Sequence, residues 1–528
     1  MLLLHNGIIH TMHALEPQVE ALAIQGDHIL AVGKNEDILN LADQDAEILD
    51  LHGKTVLPGI TDAHIHLLQY GLKLSFIDCE TNSKRECLRR IAEAIQNIPA
   101  GEWITGQGWN HNIWADGIGN KYDLDAISTN HPIILAAKSL HASWVNSTAL
   151  WLAGIDRNTP DPAGGTIVRD QHGEPTGILL ESASQLVAER MPEPDPAQMK
   201  SALLKGQQHL LQFGITGVHD VDEWKIYPLL KELKNSDKFA LRVVKCIPVR
   251  HLQDAIQAGF STGMGDERLR IGWLKLFMDG ALGPQTAAML APYEGSQDNY
   301  GMLNLSQADL IEIGSLAIQN DISLEIHAIG DMAIRSALDG IEKLSTLQHQ
   351  HTIPFPHRLE HVQIIDPQDI QRMADMHVTA SMQPIHVISD MDTADTYWGK
   401  RCAYAYAWNS IHAAGIPLVF GSDAPVESPN PFFGIHAAVT RQKIPSVEAW
   451  YPQQAVSLQT ALEAYTCTPP SIVQKQPSLG KLSAGYLADL IILLENPFTS
   501  PAASLRDLTP SATMIAGKFV WKSADFSQ

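Results

Sequence analysis

A parallel barrel of eight strands wrapped by helices, an α/β architecture, is the fold this sequence predicts, and three observations predict it. Through the middle of the chain, eight apolar strand-like runs alternate with mostly amphipathic helical segments. The two ends are instead built of short β-type runs and tight turns. Residues able to do chemistry cluster at the carboxyl ends of the runs, the rim where barrels carry their sites. An open doubly wound sheet is the alternative, and nothing here resembles its glycine-rich phosphate turn. At 528 residues the chain exceeds one simple core and suits a large barrel with additions.

Taken in order, residues 1–55 hold LLLHNGIIHTM, then VEALAIQGDHILAVG with a hairpin turn at Gly26-Asp27, then AEILDLHGKTVLPG. The far end, 480–528, offers LADLIILLENP and ATMIAGKFVWKS with a turn at Gly517-Lys518. Two β-rich ends around a different middle are expected to pair with each other. The barrel occupies 56–479 and opens with VLPGITDAHIH. Residues 70–196 interrupt it with a long irregular stretch rich in Trp, Asn and Gly. A structureless loop of that length is improbable in a compact domain, so this is read as an inserted subdomain that caps the site. Seven further strands follow: GITGVHD, LRVVKCIPV, LRIGWLKLFMDG, ISLEIHAIG, HRLEHVQI, HVTASMQPIH and IPLVFGSDAP.

Composition narrows the partners. The chain has 59 acidic against 37 basic side chains, a formal charge of -22, which argues against nucleic acid or an anionic membrane and leaves a small molecule as the expected partner. Five scattered cysteines without CxxC spacing indicate neither a disulfide framework nor a cysteine zinc site. The N-terminal residues lack the marks of a signal peptide, no apolar run approaches membrane-spanning length, and a cytoplasmic location is expected. The oligomeric state is left open, a homo-oligomer being compatible with the sequence.

The chemistry is read from the strand ends. His64 and His66 are two apart on a strand, so both imidazoles face one side and offer a metal two ligands. Lys275 shares a strand face with Ile271, Trp273 and Phe277, and a lysine in apolar company must be paired, neutralised or chemically altered. His327 ends ISLEIHAIG, His361 stands in HRLEHVQI with Arg358 and Glu360 beside it, and Asp423 follows the apolar run of IPLVFGSDAP. Singly, each has a plainer reading: a core imidazole, a snorkelling lysine, a helix-capping aspartate. Together they fall on one rim, and a metal site follows.

These pieces resemble the amidohydrolase superfamily, and within it the amidohydrolase-3 (YtcJ-like) family that includes N-substituted formamide deformylase. The resemblance rests on PGITDAHIHL, DPAGGTIVRDQHGEPTGILLESA, KLFMDGALGPQTAAMLAPY, HAIGD, RLEHVQ, ASMQPIH, FGSDAPVESPNPFFGIHAAVTR and LGKLSAGYLADLIIL, which span nearly the whole chain. It implies a TIM barrel, a β-sandwich made from both termini, and metal ligands at His64, His66, His327, His361 and Asp423. It further implies that Lys275 is carboxylated and bridges two metals. One or two divalent ions per chain are expected, zinc being preferred for the imidazole-rich shell. Such ions lower the pKa of bound water and polarise a carbonyl, so hydrolysis of an amide-type C–N bond is the expected reaction. Asp423 is the expected proton carrier. Gln383, His386 and Arg358 are candidate substrate contacts or catalytic groups near the rim, and Trp109, His111 and His141 of the insertion are weaker ones. Two other functions stay open: deamination or ester hydrolysis at the same site, and a binding protein on a barrel that has lost catalysis.

Overall fold

The structure of the protein, a computed structural model, describes residues 1–526 other than 97, 139, 140, 352–354, 445, 446 and 477. Eight parallel strands lie side by side in chain order: β1 (Ile60–Ile65), β2 (Ile215–Asp220), β3 (Arg242–Pro248), β4 (Leu269–Phe277), β5 (Leu324–Ala328), β6 (Arg358–His361), β7 (Thr379–Met382) and β8 (Leu418–Phe420). They are the eight expected runs, in the expected order. Every residue of β2, β6, β7 and β8 is buried, as parallel strands covered on both faces require. The connecting helices follow local rules. Pro367–Asp375, for example, starts with Asp366 accepting the Gln368 amide at 2.9 Å, has Pro367 in its first turn, and buries Ile370 and Met373.

The ring closes between its last and first strands just beyond the end of β8. The Asp423 amide donates to the His64 carbonyl at 2.7 Å and the His66 amide to the Ala424 carbonyl at 2.9 Å. Gly421 permits this approach, because a Cβ there would lie 2.5 Å from the His64 nitrogen. An eight-stranded parallel barrel of the TIM type results.

Both ends of the chain build two further sheets. One orders strands His28–Gly33, Ala21–Gln25, Leu2–His5 and Glu47–Asp50. The other orders Lys518–Lys522, Pro510–Ile515, Leu490–Leu493, Thr55–Pro58, Ile8–His10 and Gln18–Val19, and so pairs the two termini directly, Ile492 opposite Val56. Leu4, Leu22, Ile24, Val56, Leu490, Ile492 and Met514 share one buried core between them. Two details depart from expectation. VLPGITDAHIH is not one strand: Thr55–Pro58 belongs to the terminal sheet and only Ile60–Ile65 to the barrel. Gly59 is the pivot, where a Cβ would fall 2.3 Å from the Thr216 hydroxyl. The last hairpin turns at Ala516-Gly517, both with left-handed backbone (φ 51° and 72°), one residue before the expected turn.

Leu72–Ala202 forms a compact unit of its own, against the 70–196 read from the sequence. It is not irregular. Six strands order as Gly165–Arg169, Pro175–Glu181, Ala142–Val145, Ile133–Ala137, Ile104–Trp109 and Ile77–Asp78. Its core holds Trp109, Trp114 and Trp144, whose indole N–H groups donate to the carbonyls of Leu135 (2.8 Å), Thr81 (2.8 Å) and Asn120 (2.9 Å). Among the described residues, no helix is long and apolar enough to cross a membrane.

One ion pair joins barrel and terminal sheets. The Arg242 guanidinium at the start of β3 donates to both Asp489 oxygens at 2.6 and 2.8 Å, and both residues are buried. Asp489→Ala strands a buried guanidinium and is expected to cost about 3–5 kcal/mol of stability by urea denaturation, whereas a loss below about 1 kcal/mol would make the pair dispensable.

Candidate metal centre

The carboxyl ends of β1, β4, β5, β6 and β8 converge on a cavity of about 320 Å³. Its wall includes His64, His66, Lys275, His327, His361, His386 and Asp423, so the structure brings together all six proposed ligands and His386. Ligating atoms of His64, His361 and Asp423 all lie within 4.8 Å of one another. Nε2 of His64 and of His66 stand 3.6 and 3.4 Å from Asp423 Oδ1. The His327 and His361 ring centroids are 4.6 Å apart.

Each of the four histidines has one ring nitrogen already engaged. Nδ1 of His64 is hydrogen-bonded to the Glu360 carboxylate, Nδ1 of His66 meets Asp222 at 3.3 Å, and Nδ1 of His361 meets the Gln383 side-chain oxygen at 2.7 Å. His327 is turned the other way, its Nε2 against the Gly280 carbonyl at 2.9 Å. A carboxylate or carbonyl at one nitrogen fixes the tautomer and leaves the lone pair on the other. Three imidazoles prepared in this way, with His66 held between Asp222 and Asp423 beside them, form a donor set for a divalent cation.

Protonation agrees with that use. Burial, followed by the Lys275 charge, holds His64 well below the usual imidazole range and His327 at about 4, and burial first holds His361 well below it. Burial alone pushes Asp423 up, but His66, His64, His361 and His386 outweigh it and keep the carboxylate ionised. His66 is the exception: burial pulls it down, yet Asp222 and Asp423 hold it up at about 10. Neutral imidazoles and an ionised carboxylate are the forms that bind metal. The Lys275 Nζ is buried without a hydrogen-bond partner, 3.5 Å from Glu325 Oε1 and 5.2 Å from the Phe277 ring centroid. Among the described residues, its one charged neighbour at 3.5 Å is the fully buried Glu325 carboxylate.

Backbone strain marks two of the proposed ligands. His361 (φ 73°) and Asp423 (φ 58°) both adopt the left-handed region, at about 1–3 kcal/mol each. The other two supports are ordinary. Asp222 Oδ2 also accepts the Leu68 amide at 2.6 Å, and Asp220 Oδ1 accepts the Leu67 amide at 2.9 Å, so β2 anchors the helix that follows His66.

Several sequence assignments change. Arg358 is fully buried beneath the rim: it pairs with Glu360, contacts His219 Nδ1 at 2.9 Å, donates to the Ala63 carbonyl at 2.7 Å and the Ser381 hydroxyl at 2.8 Å, and covers Trp273. With every face occupied it has no access to substrate. Gln383 is likewise buried and orients His361 rather than lining the cavity. Trp109 is core of its own unit, its indole committed to Leu135. His111 and His141 are exposed on that unit, His141 against Glu181 at 3.0 Å. Sequence reasoning missed Glu325, Glu360, Asp222 and Gln363 as parts of the site. Glu325 carried a usable signal, since it lies two before His327 and shares its strand face.

Replacing Gln383 by Met keeps volume but removes the acceptor for His361. Metal affinity measured by chelator competition is expected to fall about 10- to 100-fold, and an unchanged affinity would mean that packing alone orients the ring.

The comparisons with known proteins agree with this geometry. The amidohydrolase family model matches residues 47–521. The putative amidohydrolase YtcJ of Bacillus subtilis is 31% identical over 98% of this chain and 99% of its own. N-substituted formamide deformylase of Arthrobacter pascens is 28% identical over 98% of this chain and 97% of its own. Among solved structures, an uncharacterized metal-dependent hydrolase from Pyrococcus furiosus superposes with a TM-score of 0.78 at 27% identity, covering 94% of this chain and 100% of that one. With a family model matching residues 47–521 and a full-length relative 31% identical, the chain belongs to the amidohydrolase family of hydrolases.

Proposed function

We propose that the protein is a metal-dependent amidohydrolase that cleaves an amide-type C–N bond, of the N-acyl or N-formyl kind, in a small molecule. The observation that carries this reading is the set of four histidines, each with one ring nitrogen engaged, grouped around one ionised carboxylate. His64, His66, His327, His361 and Asp423 would hold the divalent ion, zinc being preferred, and a carboxylated Lys275 would bridge a second. When bound, the metal lowers the pKa of water to near neutrality and polarises a carbonyl.

The chain's own groups supply the rest. Amide cleavage needs a proton delivered to the departing nitrogen, because an amine leaves poorly as an anion. Asp423 lines the cavity beside His64 and His66 and is the carboxylate placed to take a proton from water and return it to nitrogen. His386 Nε2 lies 3.9 Å from Asp423 Oδ2, close enough to steady that carboxylate. Apolar Phe277, Leu282 and Ile329 line the cavity beside these groups and offer the substrate an apolar wall.

Metal analysis followed by a panel of amides and esters tests the proposal, and a metal-replete enzyme that cleaves esters only would refute it. Lys275→Ala is expected to lose metal and activity together, with partial rescue by short carboxylates; retention of both in full would remove Lys275 from the site. Asp423→Asn keeps size and one ligand oxygen but cannot carry the proton. In a variant shown to be metal-replete, kcat is expected to fall about 100- to 10,000-fold on an amide whose chemical step limits turnover. Near wild-type kcat would move the proton transfer to His386 or to water.

A further inference from the structure

Setting aside the side chains that face the metal position, the remaining cavity wall has a pattern of its own. Phe277, Leu282 and Val426 supply apolar surface, and Gln363, Ser389, Asp390 and Glu427 supply polar groups. No arginine lines the cavity among the described residues, and its only lysine is Lys275 of the metal-binding set. Two carboxylates therefore share this wall without a cation of their own.

The neighbouring polar groups do not neutralise them. The Tyr406 hydroxyl, a neutral partner, donates to Asp390 at 2.5 Å, and among the described residues the one basic group that draws on this carboxylate is the His386 imidazole. Burial pushes the Asp390 carboxyl above the usual range, a cost that a cation beside it would offset. Gln363 is 4% exposed, and its side-chain oxygen has no hydrogen-bond partner while its amide nitrogen lies 3.5 Å from His386 Nδ1. An acceptor buried to that degree with nothing to accept is unfavourable, by about 1–3 kcal/mol. Its wall neighbours Asp390 and Glu427 are acceptors too. A ligand that satisfies this part of the wall must bring N–H donors and positive charge, and one that brings a carboxylate there meets Asp390 and Glu427.

We infer that the cavity takes an amide whose far end carries an ammonium group, recognised by Asp390 and Glu427 with Gln363 accepting a further N–H, and that it rejects amides ending in a carboxylate. The inference rests on the amide-hydrolysis reading, and the test separates the two. Three formamides of equal chain length serve as probes: an N-(aminoalkyl)formamide, a neutral N-alkylformamide and an ω-formamido carboxylate. With the metal-loaded enzyme, kcat/KM is expected to favour the ammonium compound over the neutral one by about 10-fold, and over the carboxylate by more. Asp390→Asn keeps an oxygen for the Tyr406 hydroxyl and should bring the ammonium-to-neutral ratio close to one; Glu427→Gln should lower it in part. Equal kcat/KM for all three, or a preference for the carboxylate, overturns the inference. If none is hydrolysed, the amide reading fails by itself, and calorimetric titration of the same compounds still reads the charge preference. Tighter binding of the ammonium compound, weakened in Asp390→Asn, upholds the inference, and equal or absent binding overturns it.

Discussion

The hydrogen bonds between the last and first barrel strands are the constraint on which the site depends. The Asp423 amide on the His64 carbonyl and the His66 amide on the Ala424 carbonyl bring together residues from opposite ends of the barrel sequence. Asp62 reinforces the same seam, accepting the Ser422 amide at 3.0 Å and the Ser422 hydroxyl at 2.5 Å. A carboxylate from β8 thereby faces two imidazoles from β1. Without that closure the strands would still pair in order, but His64, His66 and Asp423 would not share a ligand position.

Beneath the rim, charge is balanced in a layer closed to water. Glu325 and Glu360 are fully buried, and so is Arg358, while Lys275 is nearly so. Buried ion pairs give little net stability, because desolvation offsets their attraction. Their value here is positional: Arg358 holds Glu360, and Glu360 holds His64. On the proposed function, a carbamate on Lys275 would turn this balanced layer into an anionic one, and bound divalent cations would restore the balance. Glu325 Oε1, which lacks a hydrogen-bond partner, is the atom where that imbalance would be felt most directly.

Much of this was legible in the sequence, for identifiable reasons. Parallel strands buried on both faces read as apolar runs, so all eight were found, and the period of two put His64 with His66 and set Lys275 on the same face as Trp273. The same period explains an error and hides an exception. Arg358 and Glu360 share a face that points into the barrel below the rim, which removes Arg358 from the substrate. Strict alternation would then turn His361 outward, and only its left-handed backbone (φ 73°) returns the ring to the cavity. No local pattern announces that conformation at a histidine. The insertion was misread as irregular because its strands are short and its buried tryptophans sit among glycines and asparagines, although each indole finds a backbone carbonyl.

The two ends of the barrel carry opposite demands, and the sequence answers them with different residues. At the amino ends of the strands the barrel is tied to the terminal sheets: Arg242 to Asp489, the Gly59 amide to the Asp489 carbonyl at 2.9 Å, and the Thr513 hydroxyl to the Leu211 carbonyl at 2.7 Å. At the carboxyl ends lie the strained His361 and Asp423, the orphaned Lys275 amine and the unpartnered Gln363 oxygen. Such features persist only where the surroundings over-determine them. The terminal sheets therefore do more than complete the fold. Thr55–Pro58 clamps the entry to β1 through its pairing with Leu490–Leu493, and β1 is the strand that delivers His64 and His66. Rigidity fixed at one rim by sheet pairing and a buried ion pair is what lets the other rim hold imidazoles, a carboxylate and an amine in positions they would not adopt alone.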